Sequence, residues 1–389
     1  MIMNISGNMF DLFFVFLRFS MDSTAVPQEE FRDMDWRGLF AFARKQALVG
    51  VLFDGIRRLP KEMAPPEGIL LQWLSASEQI RKQNIRLNAE AVRMWTKFAG
   101  DGLAGCILKG QGNALLYPDV YARMPGDIDI WVWPVSSGLD VNKGGGLDRS
   151  MGLRGRRDRI IRYVHRFTGN TELSYHHIGF DSSRGVPLEL HFTPCPMNAL
   201  WYNRRLQRWF EKNAEAQFSN FVDLPDGAGR VAVPTSAFNS IYQLSHIYHH
   251  FFDEGVGLRQ LMDYYYVLTR GKQEWDGEEY ARQLRYLGLY HFAGAVMYVL
   301  SVVFGLRDDR MLVPVDRKRG QLLLSEVLGG GNFGKFFTKY DHFTRQGRVK
   351  KYFLKIYRNL HFIRLYPSEA LSEPLFRTWH FLWRTGKSA

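Results

Sequence analysis

The stretch Gly126-Asp127-Ile128-Asp129-Ile130-Trp131-Val132-Trp133-Pro134 constrains the fold more than any other in the chain. Side chains two residues apart on a strand share a face, so Ile128, Ile130 and Val132 turn together toward a core. Asp127 and Asp129 then stand side by side on the opposite face. Like charges at that range repel, and a carboxylate under cover is costly unless it is paired or binds a metal. The pattern predicts a half-buried strand whose polar face meets something cationic.

A second stretch has the same construction. In Val186-Pro187-Leu188-Glu189-Leu190-His191-Phe192, the residues Leu188, Leu190 and Phe192 face one way, and Glu189 and His191 face the other. With "ELSYHHIGFD" (172–181) it flanks the turn "SSRG", the signature of an antiparallel hairpin. If this strand neighbours the first, Asp127, Asp129 and Glu189 converge. Three carboxylates at that range suit a hard divalent cation, Mg²⁺ or Mn²⁺. Two such ions can clamp the attacking and leaving oxygens of a phosphoryl displacement. Arg123, four residues before Asp127, is placed either to meet a triphosphate or to pair with the acids. Glu189 could instead form a salt bridge with Arg123 or Lys109.

Around these strands the texture is helical, so the predicted class is α+β: a small mixed sheet between helical regions. Residues 1–100 form the first helical region, 101–234 the core, and 235–389 a helical, basic region. "DWRGLFAFARKQALVGVLFDGIRRL" (35–59) has helical spacing with Asp35 as N-cap. A long helix over about 69–99 ends at Gly100. "GCILKG" (105–110) reads as a strand entering a glycine turn, and "GNALLYP" as about one helical turn. The glycine-rich, basic stretch 136–159 reads as a mobile loop opening into a helix.

The apolar N-terminal "MFDLFFVFLRFSM" lacks a basic leader and a cleavage site and carries Asp11, so an amphipathic helix is expected there; Met21 is an alternative start. No stretch has the ~18–20 apolar residues of a membrane span. Cys106 and Cys195 lack metal or redox spacing and read as buried small residues, which fits a reducing, cytoplasmic location.

Further groups have two readings each. His246, His250 and Asp253 share a helical face, with His249 beside them; they form either a metal or base site or helix packing. Arg149, Arg154, Arg156, Arg157, Arg159, Arg162 and Arg166 either steer a phosphate-bearing substrate or form a solvated surface. Of the formal net charge of +12, nearly all lies between Arg317 and Ala389, with fifteen Lys and Arg against four Asp and Glu. That excess suits RNA or another polyanion, or is a solvated helical face.

The chain resembles the nucleotidyltransferase superfamily with the DNA polymerase beta-like fold, and within it the bacterial uncharacterised nucleotidyltransferases. The resemblance rests on Lys109-Gly110, Tyr117-Pro118, Arg123, Gly126-Asp127-Ile128-Asp129, and the later Glu189 and His191. "GLRQLMD" (257–263), "GGNFG" (330–334) and "YPSEAL" (366–371) extend it over nearly the full length. It implies transfer of a nucleoside monophosphate from an NTP to an acceptor hydroxyl by a two-metal mechanism. Asp127, Asp129 and Glu189 would be catalytic and hold the metal, while Lys109, Gly110 and Arg123 would bind substrate. Better-characterised relatives carry a Gly-Ser before the acids, where this chain has "KGQGN". The alternative is a catalytically degenerate module that binds a nucleotide or RNA. The acceptor, whether small molecule, RNA or protein, is left open.

Overall fold

The computed structural model describes residues 7–136, 146–271, 276–332, 357, 359 and 361–385. Chain order opens with α1 (Gly7–Met21), α2 (Trp36–Gln46), α3 (Val49–Ile56) and the long α4 (Glu67–Gly100). Next come β1 (Leu103–Ile107), α5 (Gln111–Ala114), β2 (Ile128–Pro134) and α6 (Leu153–Val164). The sheet is completed by β3 (Glu172–Leu173), β4 (His177–Asp181) and β5 (Pro187–His191). The chain continues through α7 (Leu200–Lys212), α8 (Ala214–Phe218) and a separate ribbon, β6 (Phe221–Leu224) with β7 (Gly229–Ala232). It ends in α9 (Ser236–Asp253), α10 (Leu258–Arg270), α11 (Gly277–Leu287), α12 (Tyr290–Phe304), α13 (Arg317–Gly330) and α14 (Pro367–Thr385).

The five-stranded sheet has the order β1-β2-β5-β4-β3. Its one parallel pairing, β2 with β5, puts Asp129 opposite Glu189 and Trp131 opposite His191. The other pairings are antiparallel, including the expected hairpin of β4 with β5. One sheet face, with Ile107, Ile128, Ile130, Leu188 and Leu190, packs on Leu87, Ala91, Met94 and Phe98 of α4 and on α6. A tryptophan of that helix also anchors the first strand, since Trp95 Nε1 donates to the Gly105 carbonyl at 2.7 Å.

The acid-bearing face is covered as well, which corrects the expectation of a half-buried strand. Every residue of β2 is buried. Asp129 shares its face with Trp131 and Trp133, and two indoles need apolar cover. That cover is α9, where Phe238, Tyr242, His246 and His250 form a stripe at intervals of four. Trp131 stacks on Phe238 at 5.8 Å, Tyr242 meets His246 at 5.8 Å, and His246 meets His250 at 4.4 Å. Along one strand–helix seam the contact thus changes from aromatic to polar, and the polar end lies at the acids.

The flanking helices share one core. Phe13, Phe16 and Leu17 of α1 belong to the same buried cluster as Val296, Leu300 and Val303 of α12. Each such phenylalanine contributes about 1.5–3 kcal/mol by burial. Arg18 ties the pair by donating from NH1 to the Val302 carbonyl at 3.0 Å. The N-terminal helix is therefore part of the folded body, and Asp11 on it is exposed. Asp35 caps α2 as expected, accepting from the Gly38 amide at 2.9 Å. The 35–59 stretch is not one helix, however, because Ala47 takes a left-handed conformation (φ 57°) between α2 and α3.

Residues 137–145 of the glycine-rich loop, and 333–356 of the basic segment, lie outside the described residues. Both cysteines are free and buried. Among the described residues, no helix is long and apolar enough to cross a membrane.

Candidate active site

Of the sequence-predicted groups, all but Glu189 line a narrow cleft between the β1–β2 end of the sheet and helices α9 and α10, and Glu189 stands opposite Asp129 on β5. Lys109, Gly110, Arg123, Asp127 and Asp129 line one side. β1 ends just before Lys109, and Gly110 turns the chain sharply with φ of 60° and ψ of −104°. A side chain at this backbone conformation is strained, so glycine is required to aim Lys109 inward while α5 starts at once.

Asp129 is almost wholly enclosed, with 2% of its surface exposed. Its Oδ1 lies 3.1 Å from Lys109 Nζ and 3.1 Å from His191 Nε2. The cationic compensation expected from the sequence is therefore a lysine and a histidine. His191 Nε2 also lies 3.3 Å from Glu189 Oε2, so one imidazole bridges the two facing acids. Burial pulls the His191 imidazole down, but hydrogen bonds to Asp129 and Glu189 outweigh it and raise it to about 9. Burial pushes the Glu189 carboxyl up, while the His191 hydrogen bond and His177 nearby win and hold it at about 2. Lys109 loses solvation by burial, yet Asp129, Asp127 and Glu189 together keep it charged, well above its ordinary value.

The three acids do not converge equally. Asp129, Glu189 and His191 bring ligand atoms within 4.8 Å of one another, whereas Asp127 stands outside that group among the described residues. Asp127 precedes the first residue of β2 and sits half-buried at the lip of the cleft. It remains close enough for its charge to act on Lys109 and Glu189.

Arg123 takes a role that the local sequence did not reveal. Its guanidinium grips Asp263 with two bonds of 2.8 Å, from Nε to Oδ1 and from NH2 to Oδ2. Tyr117 donates to the same carboxylate at 2.6 Å. The expected alternative of pairing with the strand acids is not what forms, because Asp263 occupies the guanidinium. Asp263 lies in "GLRQLMD", which forms the first turns of α10. Arg259 and Gln260 of that segment also line the cleft, and Arg259 NH1 donates to the Met124 carbonyl at 3.0 Å. The signal for these residues was that motif, though its local pattern did not say which element it would face.

Of the α9 histidines, His246 lies 3.0 Å from Lys109 Nζ and 3.1 Å from His250. Burial, with the Lys109 charge next, pushes His246 well below the ordinary histidine range. Asp253 leaves this face and pairs with Arg377 of α14 at 2.7 Å. The arginine run after β2 is partly structural. Arg156 pairs with Glu211 at 2.6 Å and lies 3.8 Å over Trp133, and Arg157 lies 4.7 Å over Trp383.

With this geometry in hand, the chain belongs to the uncharacterised nucleotidyltransferase family, whose model matches residues 32–305. That span contains every group of the cleft. No curated protein and no solved structure matches the chain. Family membership supports nucleotidyl transfer as the general activity.

Proposed function

We propose that this chain, as a member of that family, moves a nucleoside monophosphate from an NTP to an acceptor hydroxyl and releases pyrophosphate. The observation that carries the reading is the register of Asp129 opposite Glu189, with Lys109 directed at the pair. These groups fit a hard divalent cation, Mg²⁺ or Mn²⁺. Two carboxylates with clustered oxygens already recruit positive charge from a lysine and a histidine, and a cation of higher charge competes for the same oxygens. Asp127, Asp129 and Glu189 would hold it. When bound, such ions would lower the pKa of the acceptor hydroxyl and offset the charge of the triphosphate.

The chain's own groups prepare that chemistry. Lys109 is a point charge on a flexible stem, so its ammonium can move from Asp129 to a phosphate oxygen. The amides of Gly110 and Gly112 are further donors for phosphate. Arg123 and Arg259 line the cleft with Asp263, and with its fork on Asp263 Arg123 would act on phosphate through its field. Glu189, held at about 2, is ionised at neutral pH and is a weak base. Its proposed part is to hold charge beside the acceptor, not to carry the proton away.

The basic segment from Arg317 onward suits an anionic acceptor such as RNA. The decisive experiment incubates purified protein and Mg²⁺ with labelled NTPs, alone and with cell extract, and follows pyrophosphate and label. Label transfer that is lost in Asp129→Asn supports the reading. NTP binding without pyrophosphate release under all conditions would favour the degenerate binding module, consistent with "KGQGN" lacking the serine.

A further inference from the structure

Three histidines next to the acid pair are not used by the transfer reaction: His176, His177 and, on its second ring nitrogen, His191. We propose that they form a separate site for a borderline divalent transition metal of the Zn²⁺ class. One ring nitrogen from each comes within 4.8 Å of those of the other two. His176 Nε2 and His177 Nδ1 are 3.2 Å apart. A tetrahedral ion with bonds of ~2.0–2.1 Å has ligand atoms separated by ~3.3 Å, so this spacing already suits two ligands of one ion.

The backbone explains how neighbours in sequence share a cluster. Consecutive residues of a regular strand point to opposite faces. His176 lies in the bend between β3 and β4, outside the strand, and Phe192 N donates to its carbonyl at 2.8 Å. Its ring packs against His177, with centroids 4.5 Å apart and planes at 76°. β4 then pairs His177 directly with His191 of β5.

A second observation points to a ligand. His191 is 1% exposed, and its Nδ1 is buried with no hydrogen-bond partner. Its Nε2 is held by Asp129 and Glu189. A carboxylate that accepts from one nitrogen of an imidazole is the usual outer support of a ligating histidine, and an ion that binds the other nitrogen displaces its proton. The charge of the neighbourhood selects the sign of the ligand. Glu189 Oε2 lies 3.4 Å from His177 Nδ1, so the charge in contact with the cluster is negative and favours a cation. Nitrogen donors select Zn²⁺, Co²⁺ or Ni²⁺ over Mg²⁺. Three protein ligands leave a fourth position open, as in sites with an exchangeable group. His176 and His177 are both partly exposed, which gives an ion a way in.

The test uses the full chain, stripped of metal by a chelator. Zn²⁺ is titrated by calorimetry, and Co²⁺ by its visible absorption, which reports four-coordinate nitrogen ligation. The expected result is one ion per chain, with affinity reduced more than ~100-fold in His176→Ala/His177→Ala, since ~100-fold is the upper range for an outer partner alone. His176→Gln/His177→Gln, which keeps size and polarity, decides the matter should the alanine variant fail to fold. Asp129→Asn should keep Zn²⁺ binding, and the histidine variants should keep the Mg²⁺ or Mn²⁺ response, so the two sites fail separately. Unchanged Zn²⁺ affinity in the histidine variants, or loss of Zn²⁺ with Asp129→Asn alone, would overturn the proposal. So would a wild-type chain that takes up no Zn²⁺ at ~100 μM, weaker than any of the structural zinc affinities.

Discussion

Two buried ion pairs line the same cleft and are built on opposite plans. At its floor, Arg123 and Asp263 meet through a two-pronged contact with both bonds at 2.8 Å, completed by Tyr117. At its wall, Lys109 and Asp129 meet through one contact of 3.1 Å, and His191 shares the same oxygen. A planar fork on a carboxylate fixes both partners, whereas an ammonium is a point charge whose place another cation can take. Exposure divides the cations alone: Lys109 at the wall is 15% exposed against 5% for Arg123, while Asp129 at 2% is buried as deeply as Asp263 at 4%. The floor holds the loop before β2 and α10 together, while a single ammonium contact at the wall can be exchanged. That contrast is why the wall is the part proposed to take metal and phosphate.

The largest effect should come from breaking the floor. Asp263→Asn leaves the Arg123 charge buried without its counterion, a change that costs about 3–5 kcal/mol. Denaturant unfolding should show that loss, while a change under about 1 kcal/mol would mean that water reaches the pair. The wall should respond in turnover instead. Glu189→Gln keeps shape and removes charge, so single-turnover transfer should slow on the order of 10²-fold, with NTP affinity nearly unchanged. Collapse of affinity with a normal rate at saturation would make Glu189 a phosphate-site or structural residue.

A smaller effect is the response to metal. Mg²⁺ or Mn²⁺ at ~10 times its dissociation constant should stabilise the wild type by about 1.4 kcal/mol, because the ion binds only the folded form. The corresponding rise in Tm should vanish in Asp127→Asn/Asp129→Asn and persist in Asp263→Asn. Equal rises in all three proteins would place the ion elsewhere.

A third buried carboxylate, Glu369, sharpens the comparison because it accepts from backbone amides, Asn198 at 2.6 Å and Ala199 at 3.2 Å. Burial outweighs these bonds and raises it to about 7, above the ordinary 4.5. The folded chain then keeps a proton that the unfolded chain releases, so its contribution is full below about pH 4.5 and is lost as pH rises to about 7. The expected slope is at most about 1.4 kcal/mol per pH unit in that window. Unfolding midpoints from pH 5 to 7 should fall in the wild type and fall less in Glu369→Gln.

Much of this was legible in local pattern. Alternation in Ile128–Val132 and Leu188–Phe192 identified two strands and their acids, and the "SSRG" turn identified the hairpin. The long α4, the Asp35 cap and the turn at Gly110 followed from spacing, capping chemistry and glycine. Other features were not legible. Trp131 and Trp133, on the acid side of β2, were the available sign that this face would be covered, but nothing local named α9 as the cover. Ala47 carries no turn chemistry, and its left-handed conformation divides a stretch whose apolar spacing is continuous.

By itself, the sequence determined which strands carry carboxylates, which residues turn the chain beside them, and the family to which the arrangement belongs. Those properties depend on side-chain period and backbone preference over a few residues. Only the tertiary structure decided that β2 and β5 run parallel with Asp129 opposite Glu189, that Arg123 closes on Asp263, and that Lys109 and His191 neutralise the wall. The partners in the Arg123–Asp263 and His191–Asp129 pairs lie 140 and 62 residues apart, and Lys109 reaches its acid only through the turn at Gly110. A charge finds its counterion across such separations through the packing of strands and helices, because desolvation penalises each group until the whole cleft has assembled.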